Sequence, residues 1–404
     1  MAALLLPRLV DAAPAPSPAI PASVPTAEQG DDVRPPIVTP QMTRYSRTRY
    51  GLYFAGTAYG LLALWGVLAS GLSAKLRQVV QPLRFSLFQL AGYYALLTLV
   101  LIALHAPLTW YSSYYLEHAY GLSSQSFPAW AGDMAKGVAV DVATTVPILW
   151  VLFWLIKRSP RRWALWFWGA LIPLIAFGIF VSPLVVDPLF NKFTPLPPGP
   201  LKTRIEALAA KAGIPNAPVY VVDKSRQTHS TNACVTGIGS SARIVLWDTM
   251  LQRMPEDQIV AVVAHEMGHY VLKHLYWGFA LSVGGLLLGL PLAQKFVEAM
   301  LARYGRRWGV TSLSDYAATP ALLLTVSLAG FLLAPLTNGV SRVIEHQADA
   351  YGLEVNGNGP AMARAFVSLS EQNLSDPNPP AFIKFWLFTH PPLRERIDFA
   401  LGRK

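Results

Sequence analysis

Charge is scarce in this sequence. Of its 404 residues, 33 are Lys or Arg and 23 are Asp or Glu, so 14 % are charged, against roughly 25 % in an ordinary soluble protein. With 53 % of the residues hydrophobic, such a chain could build a soluble surface only by exposing apolar patches larger than monomers tolerate. A purely soluble globular protein is excluded. Cysteine is nearly absent as well: Cys234 stands alone, so no intrachain disulfide staples the fold, and cysteine usage carries no message about redox compartment. The net charge of +10 raises the question of nucleic acid. In a chain this apolar, basic residues are expected to flank membrane spans and set their topology, and no nucleic-acid partner is expected.

What the chain has instead is long apolar runs. Six stretches reach the roughly 20 residues that cross a bilayer core: about Gly51 to Leu72, Ser86 to His105, Gly137 to Ile156, Trp163 to Val186, Leu275 to Val297 and Thr319 to Val340. Aromatic residues gather at their ends, as Trp110, Tyr114 and Tyr115 do after the second, in the manner of interfacial anchors. Before the first span, residues 1–41 are rich in proline and alanine and follow no helical or strand period, which predicts disorder. The partition is then 1–41, a four-span block 42–186, a polar segment 187–274, two spans over 275–340, and a polar tail 341–404. An even number of spans puts the two polar segments on one side of the membrane, where they can form one domain.

Within the polar segment, Lys202 to Ala212 has an amphipathic helical pattern that Gly213 and Pro215 stop. Val219 to Val222 and Arg243 to Trp247 read as strands, with Asn232 to Thr236 a third before the turn at Gly237 to Gly239. A helix starts at Pro255, with Glu256 and Asp257 at the positive end of its dipole, and runs to about His274. It carries HEMGH, residues 265 to 269. Histidines at i and i+4 project from one helical face, so His265 and His269 can reach one tetrahedral ion while Glu266 holds its water. A third protein ligand is needed. Past the sixth span, NGVSRVIEHQADAYG sets Glu345 and Asp349 at i and i+4 on a helix, where one carboxylate can bind metal and the other can orient a ligand histidine. His346 competes but points about 100° away from Glu345.

HEMGH, NGVSRVIEHQADAYG, DPLFNKF (residues 187 to 193), NACVTGIG, ARIVLWDTM and THPPLRERI (389 to 397) together resemble the integral-membrane zinc metallopeptidases of the type I CAAX prenyl endopeptidase family, in order over roughly residues 50 to 400. The resemblance implies a mainly α polytopic membrane bundle enclosing a chamber, with a zincin-like α+β catalytic domain carrying a small β-sheet. It implies one Zn2+ per chain held by His265, His269 and Glu345, with Glu266 as catalytic base and Asp349 as partner of a ligand histidine. Glu266 would take a proton from zinc-activated water and return it to the leaving amine. His390, in the C-terminal motif, is assigned as donor to the oxyanion, and Arg394 as a substrate contact or a buried partner of Glu345's helix. Arg342 is taken as structural, and Asn338 is left open between structure and function.

Asn232 and Ala233 match the asparagine-alanine pair with which thermolysin-like enzymes line a substrate-binding sheet edge, so a peptide would add there as a strand. Thr231 interrupts the usual histidine-serine-asparagine-alanine run and Cys234 stands where an aromatic is usual, which leaves side-chain preference open. Cys234 has no base implied beside it and reads as a strand residue rather than a nucleophile. Asp141, inside the third span, is either a chamber residue or an interhelical hydrogen-bonding group. His274 reads as interfacial, off the ligand face.

The expected partners are membrane lipids and a peptide or protein substrate, prenylated if the resemblance extends that far; quality control of membrane proteins, similar to the HtpX-like peptidases, is the alternative. A transporter or scaffold with a regulatory zinc site would have no need of Glu266 beside the first ligand. The protein should be a multi-pass integral membrane protein, in the inner membrane if bacterial. Ten basic residues in the short loops opposite the catalytic domain would put that domain outside the cytoplasm, whereas the resemblance implies the cytosolic face, so sidedness stays open.

Overall fold

A computed structural model describes residues 33–215, 217–237 and 242–403. The expected disorder of residues 1–41 and the Gly237 to Gly239 turn therefore lie largely outside the described residues, although a helix already begins at Pro40. That helix, α1 (Pro40–Ala69), is capped by Thr39, whose hydroxyl accepts from the Met42 amide. A short α2 (Leu72–Val80) leads to α3 (Ser86–Trp110), a π-helical turn and α4 (Leu116–Ala119). There follow α5 (Phe127–Arg158), α6 (Trp163–Val181) and α7 (Asp187–Phe190). Strand β1 (Phe193–Pro195), α8 (Pro200–Lys211), β2 (Val219–Val222), β3 (Ala233–Thr236), β4 (Arg243–Trp247) and α9 (Asp248–Arg253) build the first polar segment. It closes with α10 (Glu256–Val271), which precedes α11 (His274–Trp308), α12 (Thr319–Asn356), α13 (Gly359–Gln372), α14 (Ala381–Leu387) and α15 (Leu393–Ala400).

Among the described residues six helices are long and apolar enough to span a membrane; five contain an expected stretch whole, and the first, α1, ends at Ala69, short of the expected Leu72. They do not collapse onto one solid core. None of the most apolar window of α11 and only 6 % of that of α6 is buried, although the two helices touch and the Trp168 indole donates to the Val283 carbonyl. Both helices thus turn most of their apolar length outward rather than into a packed interior. The packed part of the bundle joins α1, α2, α3, α5, the first turns of α6 and the non-catalytic halves of α11 and α12 around Leu68, Tyr93, Leu97, Trp163 and Trp308. Asp141 is spent on an interhelical bond: its Oδ2 accepts from the Tyr94 hydroxyl on α3 at 2.8 Å.

A second core brings the two polar segments into one domain, with Ile205 of α8, Ile244 and Leu246 of β4, Val263 and Met267 of α10, Phe366 of α13 and Ile397 of α15. Its sheet has the order β1-β2-β4-β3, with β2 and β4 parallel and the outer pairs antiparallel. Strand β1 escapes sequence patterning because it is three residues long and ends on a proline, which only an edge strand tolerates. The sixth span and its extension form one unbroken rod, α12. The fifth behaves differently: α10 stops at Val271, Lys273 adopts a left-handed conformation with φ 58°, and α11 starts at His274. The sequence gives no glycine there to announce the break.

Candidate metal centre

The site lies where α10 crosses α12, and small residues set how closely the helices approach. A methyl on Gly352 would stand 2.8 Å from the His265 backbone nitrogen, and one on Gly268 would stand 3.1 Å from the Ala348 Cα. Backbone against backbone, the crossing carries Glu345 into reach of both histidines. The His265 and His269 Nε2 atoms are 3.3 Å apart. Glu345 presents Oε2 at 3.3 Å from His265 Nε2 and Oε1 at 3.6 Å from His269 Nε2. Ligand atoms about 2.0–2.1 Å from one ion stand roughly 3.3–3.4 Å apart in a tetrahedron. The donor set therefore fits one tetrahedral cation, and Glu345 Oε2 is buried without a hydrogen bond of good geometry among the described residues. These three are, among the described residues, the group close enough to share an ion.

Behind His265, its Nδ1 stands 2.8 Å from Asp349 Oδ1, and Arg396 grips Asp349 through two bonds of 2.8 and 2.7 Å. The Arg396 guanidinium lies 4.1 Å from the centroid of the Phe366 ring. Burial works to lower the pKa of His265, but the bonds to Asp349 and Glu345 outweigh it and raise it to about 9. His269 moves the other way, down to about 4, through burial and the neighbouring His265 charge. Burial pushes the Glu266 carboxyl up to about 7, with His265 opposing and Glu345 adding to the rise.

The buried arginine of the C-terminal motif is Arg396; Arg394 is exposed on the same helix and does not serve as partner to Glu345's helix. Signal for Arg396 existed in THPPLRERI, but the choice between two arginines depends on the rotation of α15. His390 Nε2 stands 3.1 Å from Glu345 Oε2 with half of the side chain exposed. Its Nδ1 bonds the Thr389 hydroxyl at 2.8 Å; with that hydroxyl as donor, Nε2 carries the ring proton. The loop bearing His390 is held from α12: Asn338 donates to the Trp386 carbonyl, and Arg342 to those of Lys384 and Phe388. Both residues thus anchor α14. His346 faces away, its ring 4.5 Å from that of Phe399.

Strand β3 is an edge of the sheet and lies against α10. Ala233 is buried, while Asn232 is exposed with its Oδ1 accepting from the Ala233 amide. Burial pushes the Cys234 thiol up to about 11, and the Glu266 charge adds to this, so it is no nucleophile. His274, read as interfacial, is instead buried at 7 % exposure and stands against His269, its Nδ1 3.0 Å from that of His269. In a continuous helix a residue five positions on would point about 140° away; the left-handed Lys273 folds it back.

Two imidazoles and a carboxylate converging on one point, a glutamate beside them and a membrane bundle below define a membrane-embedded metallopeptidase. Comparison with known proteins agrees. Residues 195–404 match peptidase family M48, and residues 36–192 match a domain described as CAAX prenyl protease N-terminal with five membrane helices; four of the six long apolar helices lie mainly in that range. An uncharacterized metalloprotease of Bacillus subtilis is 35 % identical over 88 % of this chain and 84 % of its own. CAAX prenyl protease 1 of Saccharomyces cerevisiae is 28 % identical over 89 % and 85 %. The crystal structure of S. mikatae Ste24p superposes with a TM-score of 0.79 at 26 % identity, covering 91 % of both chains. The chain belongs to peptidase family M48 and is a multi-pass membrane metallopeptidase.

Proposed function

We propose that the metal is one Zn2+ held by His265, His269 and Glu345, and that the enzyme cleaves C-terminal peptides from lipid-modified, CAAX-type substrates. The close convergence of the two Nε2 atoms and the Glu345 carboxylate, at 3.3 to 3.6 Å, carries this reading; the donor set, two imidazoles and one carboxylate with a position left open, is that of catalytic zinc. When bound, zinc supplies Lewis-acid polarisation and an acidified water. Glu266, next to the first ligand and raised toward neutrality by burial, accepts the proton of the attacking water and delivers it to the leaving amine. Asp349, backed by Arg396, holds His265 with its Nδ1 protonated and its Nε2 free for the ion. His390 donates Nε2–H to the oxyanion of the tetrahedral state. A peptide extending the sheet at β3, past Asn232 and Ala233, would lie against the HEMGH helix, and Arg394 is open to solvent where it can meet substrate.

The lipid part of the proposal draws on CAAX prenyl protease 1 of yeast and the relatives named CAAX prenyl protease 1 homolog in rice and Arabidopsis, and on the membrane bundle beside the site, which suits a substrate with an apolar tail. Purified wild type and Glu266→Ala, assayed for zinc and for cleavage of a farnesylated CAAX peptide and an unlipidated one, test it. Both proteins should hold one zinc, and only wild type should cut, with the farnesylated peptide preferred. Equal cleavage of the unlipidated peptide would favour membrane-protein quality control, and absence of zinc would overturn the ligand set.

A further inference from the structure

One of the two histidines proposed as ligands has a charged anchor, Asp349 with Arg396. The other has no carboxylate behind it; its Nδ1 meets a second imidazole. His274 Nδ1 stands 3.0 Å from His269 Nδ1, and its Nε2 stands 3.2 Å from Gln347 Oε1. The rings meet edge to face, with centroids 5.1 Å apart at 72°. With both rings neutral, the hydrogen bonds leave one arrangement. Gln347 Oε1 can only accept, so His274 carries its proton on Nε2 and its Nδ1 is a lone pair. His269 must then donate from Nδ1, which leaves its Nε2 lone pair facing the His265 and Glu345 ligand atoms.

We infer that His274 and Gln347 form a neutral relay that fixes the tautomer and ring orientation of His269, making His274 a positioning residue for metal capture. The inference rests on the ligand set proposed above. The local structure is built for it. Lys273 is one of two non-glycine residues with positive φ among the described residues, a conformation that costs roughly 1–3 kcal/mol unless its surroundings impose it. It ends α10 and turns His274 back onto the ring of His269. Gln347 lies two residues beyond Glu345 on α12, so the helix that supplies the third ligand also ends the relay.

Partners of this kind typically contribute about 10–100-fold in metal affinity. The test is Zn2+ affinity of the full-length protein in detergent, by competition with a chromophoric chelator, together with the melting temperature of the metal-free protein. His274→Phe keeps ring volume and loses the acceptor; it should bind Zn2+ about 10–100-fold more weakly with an unchanged metal-free melting temperature. His274→Asn, whose Oδ1 takes the place of Nδ1, should recover most of the loss. Gln347→Leu should weaken binding less, and adding it to His274→Phe should change nothing further, because Gln347 acts through His274. Wild-type affinity in His274→Phe, an Asn variant as weak as Phe, or additive losses in the double variant would each overturn the relay. Should His274→Phe not fold, wild-type affinity in Gln347→Leu overturns it. His269→Ala separates the two readings: if it keeps its zinc, the ligand set itself is wrong, whereas if it loses zinc and His274→Phe does not, only the relay fails.

Discussion

Protonation pulls the two histidines proposed as ligands in opposite directions, and this has a measurable sign. In the metal-free protein His265 keeps its extra proton up to about pH 9, whereas His269 is neutral above about pH 4. Metal binding at pH 8 must therefore expel close to one proton, from His265, while Glu266, at about 7, is already mostly ionised. Calorimetry in buffers of different ionisation enthalpy should report that proton. Apparent affinity should rise about tenfold per pH unit below 9 and level off above it; proton release near zero at pH 8 would contradict the bonds drawn to His265. The exposed His390 gives a second residue-scale expectation. His390→Ala should retain zinc yet lose about 10²–10³-fold in kcat, as removal of an oxyanion donor does, and an equal loss of zinc would instead make it part of the metal shell. Residue chemistry was legible where type and spacing are the signal, as in HEMGH and the Glu345 and Asp349 pair. It was illegible for His274 and Arg396, whose roles depend on one backbone angle and on the rotation of a short helix.

Elements come together here through what their surfaces lack. The α10–α12 crossing depends on Gly268, Ala348 and Gly352, and a methyl added at Gly352 would push backbone from backbone. Gly352→Ala should cost about 1–3 kcal/mol by overpacking and move Glu345 away from the histidines, so zinc affinity should fall while HEMGH is untouched. Wild-type affinity in that variant would show the crossing to be softer than its contacts indicate. The spans and the strands β2 and β4 could be read from sequence because hydropathy and β-branched runs are local properties. The sequence pattern runs α10 on to about His274, three residues past its end at Val271, and the left-handed break was not legible, since neither glycine nor proline marks Lys273. The full length of α12 was hidden for the converse reason: its composition turns polar at Ser341 while its backbone continues without a break.

For the whole molecule, the two cores share α12 as a common beam. One half is packed among the spans through Leu323 and Leu324, and the other carries Glu345 and Asp349 into the catalytic domain. Unfolding in detergent should accordingly be cooperative: zinc release and loss of helical signal should coincide on heating. A separate, earlier release of zinc would mean that the catalytic domain melts on its own.

The chain order of the centre has a consequence for biosynthesis. His265 and His269 are synthesised before the last two spans, Glu345 only after both, and Arg396, which steadies Asp349, later still. On the proposed ligand set, a growing chain has two ligands and a base but no closed site, and it cannot digest its neighbours at the translocation machinery. Proteolytic competence requires α15, which carries Arg396, so a chain ending at Pro392 should insert normally and hold zinc only weakly.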